Sequence, residues 1–138
     1  MRVQIAVVSQ PPVAVDEIVA LIVMGVSLPL VKRKIRPNRW YGIRIPEAFK
    51  SEERWFELNQ YGGRLMIWWG VVIAITAGIG LALEKKYWLV YTFSELAVML
   101  GGLGIVVALI FRYAAKTKRP DPATGIEVVE GRASRIEP

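Results

Sequence analysis

The chain has 138 residues, 54% of them hydrophobic, a formal net charge of +6 and a mean hydropathy of +0.37. It has no cysteine and no histidine, which removes disulfides, thiolate nucleophiles, Cys/His zinc sites, the usual haem axial ligand and the usual general base. The apolar residues are bunched into runs near bilayer length and the basic residues flank those runs, which points to a bilayer and away from nucleic acid.

Residues 1–12, "MRVQIAVVSQPP", lack the pattern of a usual secretory signal and read as an extramembrane arm. Val3, Ile5 and Val7 alternate with Gln4 and Ala6, which suggests a short strand. The first apolar run follows, Val13–Val31. Asp16 and Glu17 lie near its start, where acids favour the positive end of a helix dipole at headgroup depth. Pro29 near its other end predicts a kink or a stop, and Lys32–Lys34 follow at once.

The segment 32–64 is basic and aromatic. "RPNRWYGIRIP" is turn chemistry: Pro37-Asn38 and Pro46 fix backbone angles, and Gly42 permits positive φ. Trp40 and Tyr41 suit anchors at headgroup level. Arg44 is placed to meet helix-end carbonyls, Glu47, Glu52 or a lipid phosphate. Ser51 followed by Glu52 and Glu53 marks a helix start. Trp55, Asn59, Gly62 and Met66 then share one face, so an amphipathic helix runs from the headgroup region into the second span. Gly62–Gly63 marks either a bend at the surface or a close helix crossing.

The second span, Leu65–Leu83, carries no charge. Gly70, Ala74, Gly78 and Ala82 form a small-residue stripe along it. The third runs from about Leu89 to Phe111 after a tight turn at "EKKYW", and Ala97, Gly101, Gly104 and Ala108 continue the theme. Such stripes fit packing of this chain's own hairpin, or docking of a partner subunit or a second copy. Glu95 is the one acid well inside a nominal span. It reads either as an intramembrane functional carboxylate or as a first-turn acid of a helix starting near Thr92 or Ser94, with Lys85 and Lys86 near enough in sequence to pair with it.

These features predict an all-α integral membrane protein. Its three transmembrane helices, at 13–31, 65–83 and 89–111, have an interfacial amphipathic helix between the first and second. The membrane domain covers 13–111, and 112–138 form a tail. Lysine and arginine are concentrated in 32–64 and in the tail, so both are expected in the cytoplasm, with the N-terminus outside. Lys85 and Lys86 run against that assignment.

The motif "PNRWYGIRIPEAFKSEERWFELNQYGGRL" resembles the signature of the SdpI family, bacterial membrane proteins associated with immunity to a secreted peptide toxin. Asn38, Gly42, Arg44, Pro46, Ser51, Trp55, Asn59 and Gly62 match its pattern, and Ile45 replaces the commoner threonine. The resemblance covers roughly Leu28–Leu83, more loosely the third span, and is that of a minimal-length member. It implies a multi-pass protein of the bacterial inner membrane, active in immunity or signalling against a membrane-active peptide. The alternative is a non-catalytic accessory subunit of a larger membrane complex. No enzyme activity, cofactor, metal or nucleic acid is expected. The expected partners are the lipid bilayer, and either other membrane subunits or a peptide toxin, with a homo-oligomer also open. The eight motif residues are expected to form a structural clasp folded onto the end of the bundle.

Overall fold

The computed structural model describes residues 13–118; the arm at 1–12 with its expected strand, and the tail at 119–138, lie outside them. Three long helices make up the described chain: α1 (Val13–Val31), α2 (Glu52–Leu81) and α3 (Trp88–Lys116). Single 3-10 turns at Pro46–Phe49 and Lys85–Tyr87 precede α2 and α3. All three helices are long and apolar enough to cross a membrane.

The helix ends follow from local chemistry. Pro29 lies inside the last turn of α1, and the helix stops two residues later. Arg33 takes a positive φ of 54°, and the Lys34 and Arg33 amides turn back to the Pro29 and Leu30 carbonyls at 3.0 and 3.1 Å. That pairing satisfies carbonyls the helix end would otherwise leave open. Ser51 caps α2, its Oγ accepting the Arg54 amide at 3.0 Å, and Glu52 and Glu53 occupy the first turn as expected from the dipole.

α2 is the centre of the fold, with α1 and α3 packed antiparallel to it. Gly63 lies against Leu30, Val31 and the Ser27 carbonyl, and Gly70 lies against Met24 and the Ala20 carbonyl. Val13, Ala77 and Tyr91 close the far end. Gly62–Gly63 is thus a close helix crossing; α2 passes through it unbroken. The residues after Ser51, where an interfacial amphipathic helix was expected, are the first part of the same helix that forms the second span. Its 30 residues reach roughly 45 Å at ~1.5 Å per residue, beyond a ~30 Å hydrocarbon core.

Two features differ from the simplest expectation. Within the described chain the stripe Gly70–Ala74–Gly78–Ala82 does not pack as a unit: Gly70 meets α1, but Gly78 and Ala82 are exposed, and nothing among the described residues lies within 4 Å of a side chain placed at Gly78. Residues four apart advance about 40° around a helix, so a stripe with that spacing rotates away from its neighbour. The buried positions of α2 (Gly63, Gly70 and Ala77, with Ile73 and Gly80) instead follow the alternating three-and-four spacing that keeps one seam facing a partner. α3 also differs from expectation. It starts at Trp88 and continues to Lys116, so the helix takes in Arg112–Lys116 of the expected tail. Glu95 is then two turns into α3 and is not a first-turn acid.

Candidate functional site

The segment between α1 and α2 folds along the first turns of α2, and a small set of polar side chains holds it there. Asn38 builds the turn itself. Its Oδ1 accepts the Trp40 and Tyr41 amides at 2.8 and 2.7 Å, and its Nδ2 donates to the Arg36 carbonyl at 2.8 Å. Gly42 follows at φ 112°, a conformation that L side chains rarely adopt. A methyl there would come within 2.5 Å of Asn59 Oδ1. The close approach matters because Asn59, fully buried in α2, accepts the Ile43 amide at 2.6 Å and donates to the Trp55 and Ile43 carbonyls at 2.9 and 3.4 Å.

Trp55 is buried one turn before Asn59. Its indole N–H donates to the Ile35 carbonyl at 2.8 Å, and its ring packs with Ala48, Leu58 and Ala114. Gln60 donates to the Val31 carbonyl at 3.0 Å, in the last turn of α1. Three side chains of α2 therefore recognise backbone groups of the 31–43 segment. Buried backbone groups need such partners, and the segment has no helix or sheet of its own to supply them.

Of the eight motif residues, Asn38, Gly42, Trp55 and Asn59 meet in this arrangement. Ser51 caps α2, Pro46 opens the 3-10 turn, and Gly62 gives space to Ile43 and Ile110. Arg44 stays exposed and donates from Nη1 to the Arg39 carbonyl within its own turn; of its expected protein partners it reaches neither a helix end nor a carboxylate among the described residues. Trp40 is 92% exposed, whereas Tyr41 is half-buried and desolvation lifts its phenol above the usual value.

Arg54, not singled out in the sequence, is the buried charge at this end, with 1% of its surface exposed. Its guanidinium donates to the Ala114 carbonyl in the last turn of α3 and to Glu57 Oε2, each at 3.0 Å, and Glu47 Oε1 lies 3.7 Å from its Nε. Tyr113 donates to the other Glu57 oxygen at 2.9 Å, and its ring stacks on Tyr61 at 4.0 Å. A cation at the carbonyl end of α3 suits both the unpaired carbonyl and the helix dipole. The signal in the sequence was a lone arginine at the third helical position, where acids are preferred, with Glu57 one turn on. Its partner at Ala114 is sixty residues away and carries no mark.

A second polar cluster crosses the opposite end of the bundle. Tyr91 donates to Asp16 Oδ2 at 2.9 Å, joining α3 to α1 over Gly80 of α2. The Thr76 hydroxyl lies 2.9 Å from Glu95 Oε1. Asp16 and Glu95 are both buried, so Asp16 faces its neighbours and not the headgroups. Lys86 does not reach Glu95; it pairs with Glu84 at 2.9 Å.

The outer faces of α2 and α3 also have relief. An open groove of about 590 Å³ runs between α2 and α3, bordered by Trp68, Trp69, Val72, Val98, Gly101 and Ile105. Trp69 leans over Gly102, and nothing lies near Gly101 or Gly104. Gly101 was expected to pack a helix; it borders this groove. No group of three or more metal-ligating side chains occurs among the described residues.

Three membrane-length helices with a preformed polar assembly at one end describe a small multi-pass membrane protein. The family model for the SdpI/YfhL protein family matches residues 34–113, more than half of the chain, and the chain belongs to that family. The match takes in the turn at Asn38, all of α2 and nearly all of α3, and leaves out α1. No curated protein and no solved structure matches the chain.

Proposed function

We propose that this member of the SdpI/YfhL family is a non-catalytic protein of the bacterial inner membrane that gives immunity to, or signals the arrival of, a membrane-active peptide. The observation that carries this reading is the groove between α2 and α3. It is apolar, open to the outside, and bordered by the exposed Gly101, so the apolar face of a helical peptide can approach the backbone closely. The orientation that goes with it has the basic segment 32–64 inside. The first part of α2 then works at the cytoplasmic interface, and the assembly around Asn59 and Arg54 acts as a clasp that transmits a shift of α2 against α3.

Expression in a host sensitive to a secreted membrane-active peptide tests this. The chain should protect, and Gly101→Phe, which fills the groove, should abolish protection at unchanged membrane abundance. Equal protection by both would remove the groove from the reading.

A second reading, an accessory subunit of a larger membrane complex, is favoured by the open faces at Gly78 and Gly104. Purification from the native membrane in mild detergent separates the two. Stoichiometric association with a large complex supports the accessory role, and isolation alone with protection of the host supports immunity.

A further inference from the structure

Beside the clasp, the turn that carries Arg39 and Arg44 opens a cleft of about 650 Å³ lined by Arg39, Arg44 and Phe49. Its chemistry is that of an anion site. Arg44 uses one N–H on the Arg39 carbonyl and meets no carboxylate among the described residues. Arg39 has no carboxylate partner among them either. The nearby acids are engaged elsewhere: Glu52 with Arg36 at 3.9 Å, Glu47 with Lys50 and Arg54, and Glu57 with Arg54. Residues 32–50 contain seven lysines and arginines against a single acid, Glu47. Two guanidiniums at one cleft offer paired forks of donors, the geometry that suits a phosphate group.

The site is held in shape before any ligand arrives. Asn38 closes the turn, Gly42 gives it its positive φ, and Asn59 fixes the residue between Gly42 and Arg44 to α2. Depth also follows from the contacts. Gln60 reaches the Val31 carbonyl, so the apolar part of α1 ends level with Gln60. Asn59, one residue away, holds Ile43. The cleft therefore lies within about two helical turns, roughly 10 Å, of the hydrocarbon boundary, which is headgroup depth. Phe49 gives it an apolar wall, and Trp40, next to Arg39 in the chain, is almost fully exposed. A tryptophan left bare in water is unfavourable, whereas the same ring at a membrane interface is well placed.

We infer that Arg39 and Arg44 bind the phosphate of an anionic lipid headgroup, with Trp40 and Phe49 against its glycerol and upper acyl region. The bound lipid belongs to the leaflet at the clasp end, and the cleft takes it whether or not the chain answers a peptide.

The test uses the full chain in neutral detergent, titrated with dioctanoyl phosphatidylglycerol, dioctanoyl phosphatidylcholine and inorganic phosphate, with binding followed by tryptophan fluorescence. The anionic lipid should saturate and the zwitterionic lipid should not at the same concentrations. Arg39→Gln removes an exposed side chain with no packing role, so it should fold normally and weaken phosphatidylglycerol binding roughly tenfold, as expected for losing a charge-assisted contact. Arg36→Gln, which removes the same charge from a residue already paired with Glu52, should leave binding within about twofold of the parent. Equal binding of both lipids overturns the inference. So does an equal loss in the two variants, which would reduce the effect to net charge. Inorganic phosphate that binds as tightly as the lipid would assign the cleft to a free anion and overturn the lipid assignment.

Discussion

Asn59 holds both backbone groups of Ile43, taking its amide at 2.6 Å and facing its carbonyl at 3.4 Å, across sixteen residues of sequence. One carboxamide thereby substitutes for a strand partner. Asn59→Asp keeps the acceptor, loses the donors and buries a charge. Asn59→Ala leaves the Ile43 amide and carbonyl without their partner, at a cost of about 1–3 kcal/mol. Both variants should lower the thermal midpoint in detergent and speed tryptic cleavage after Arg39 and Arg44, whose side chains are already exposed but whose backbone is held in the turn. A variant with the parent's midpoint and cleavage pattern would show that the segment is held by something else.

Gly42 gives a sharper contrast. Gly42→Ala forces a side chain into a positive φ and against the Asn59 oxygen, and should cost about 1–3 kcal/mol. Gly25→Ala in α1 meets nothing within 4 Å, and should be neutral or slightly stabilising because alanine is the better helix former. Thermal unfolding of the two single variants side by side checks this.

Arg54→Lys separates charge from geometry. Lysine keeps the positive charge but cannot serve Glu57, Glu47 and the Ala114 carbonyl from one planar group. Arg54→Met removes the charge and leaves two acids beside a buried site, a change worth on the order of 3–5 kcal/mol where one partner of a buried pair is lost. The expected order of stability is parent, then Lys, then Met. Hydrogen exchange in the last turn of α3 should rise in the same order.

On the α1 side, Gly70→Leu drives a side chain into Met24 and the Ala20 carbonyl and should destabilise the isolated protein. Gly78→Leu points into open space and should move the midpoint by no more than about 0.5 kcal/mol equivalent. Loss of a co-purifying partner from Gly78→Leu, with the midpoint unchanged, would mark that face as an interface.

For the proposed orientation, single cysteines at Glu84 and Lys116, both exposed, report opposite sides. Glu84→Cys should react with an impermeant thiol reagent in intact cells and Lys116→Cys should not. The reverse labelling would overturn the charge argument.

The lengths of the helices were largely legible where hydropathy and capping agree. The first apolar run has the same bounds as α1, and the Ser51–Glu52–Glu53 signal marks the start of α2. What hydropathy could not mark is helix that continues beyond the bilayer. Glu52–Arg64 and Arg112–Lys116 are polar enough to look like interface or tail, yet they pair with each other through Arg54, Glu57 and Tyr113. The intrachain packing seam is not legible from small residues four apart, which look like a stripe in one dimension and rotate in three. The motif residues were legible as a group, but their partners were not. Ile35, Ile43 and Val31 contribute backbone atoms, which no side-chain pattern records. The link between Asp16 and Tyr91 joins residues 75 apart and was equally silent.

The bond from Arg54 to the Ala114 carbonyl imposes an order on biogenesis. Every side-chain contact that fastens the 31–43 segment to α2 becomes available once α2 has been made. The charge of Arg54, in contrast, stays uncovered on one side until synthesis has passed Ala114 and the third span has returned to the same side of the membrane. A chain whose last span fails to insert keeps Arg54 paired with Glu57 and near Glu47 but leaves its Nη2 without the Ala114 carbonyl. Closing the last turn of α3 onto Arg54 is therefore the step that completes this end of the fold.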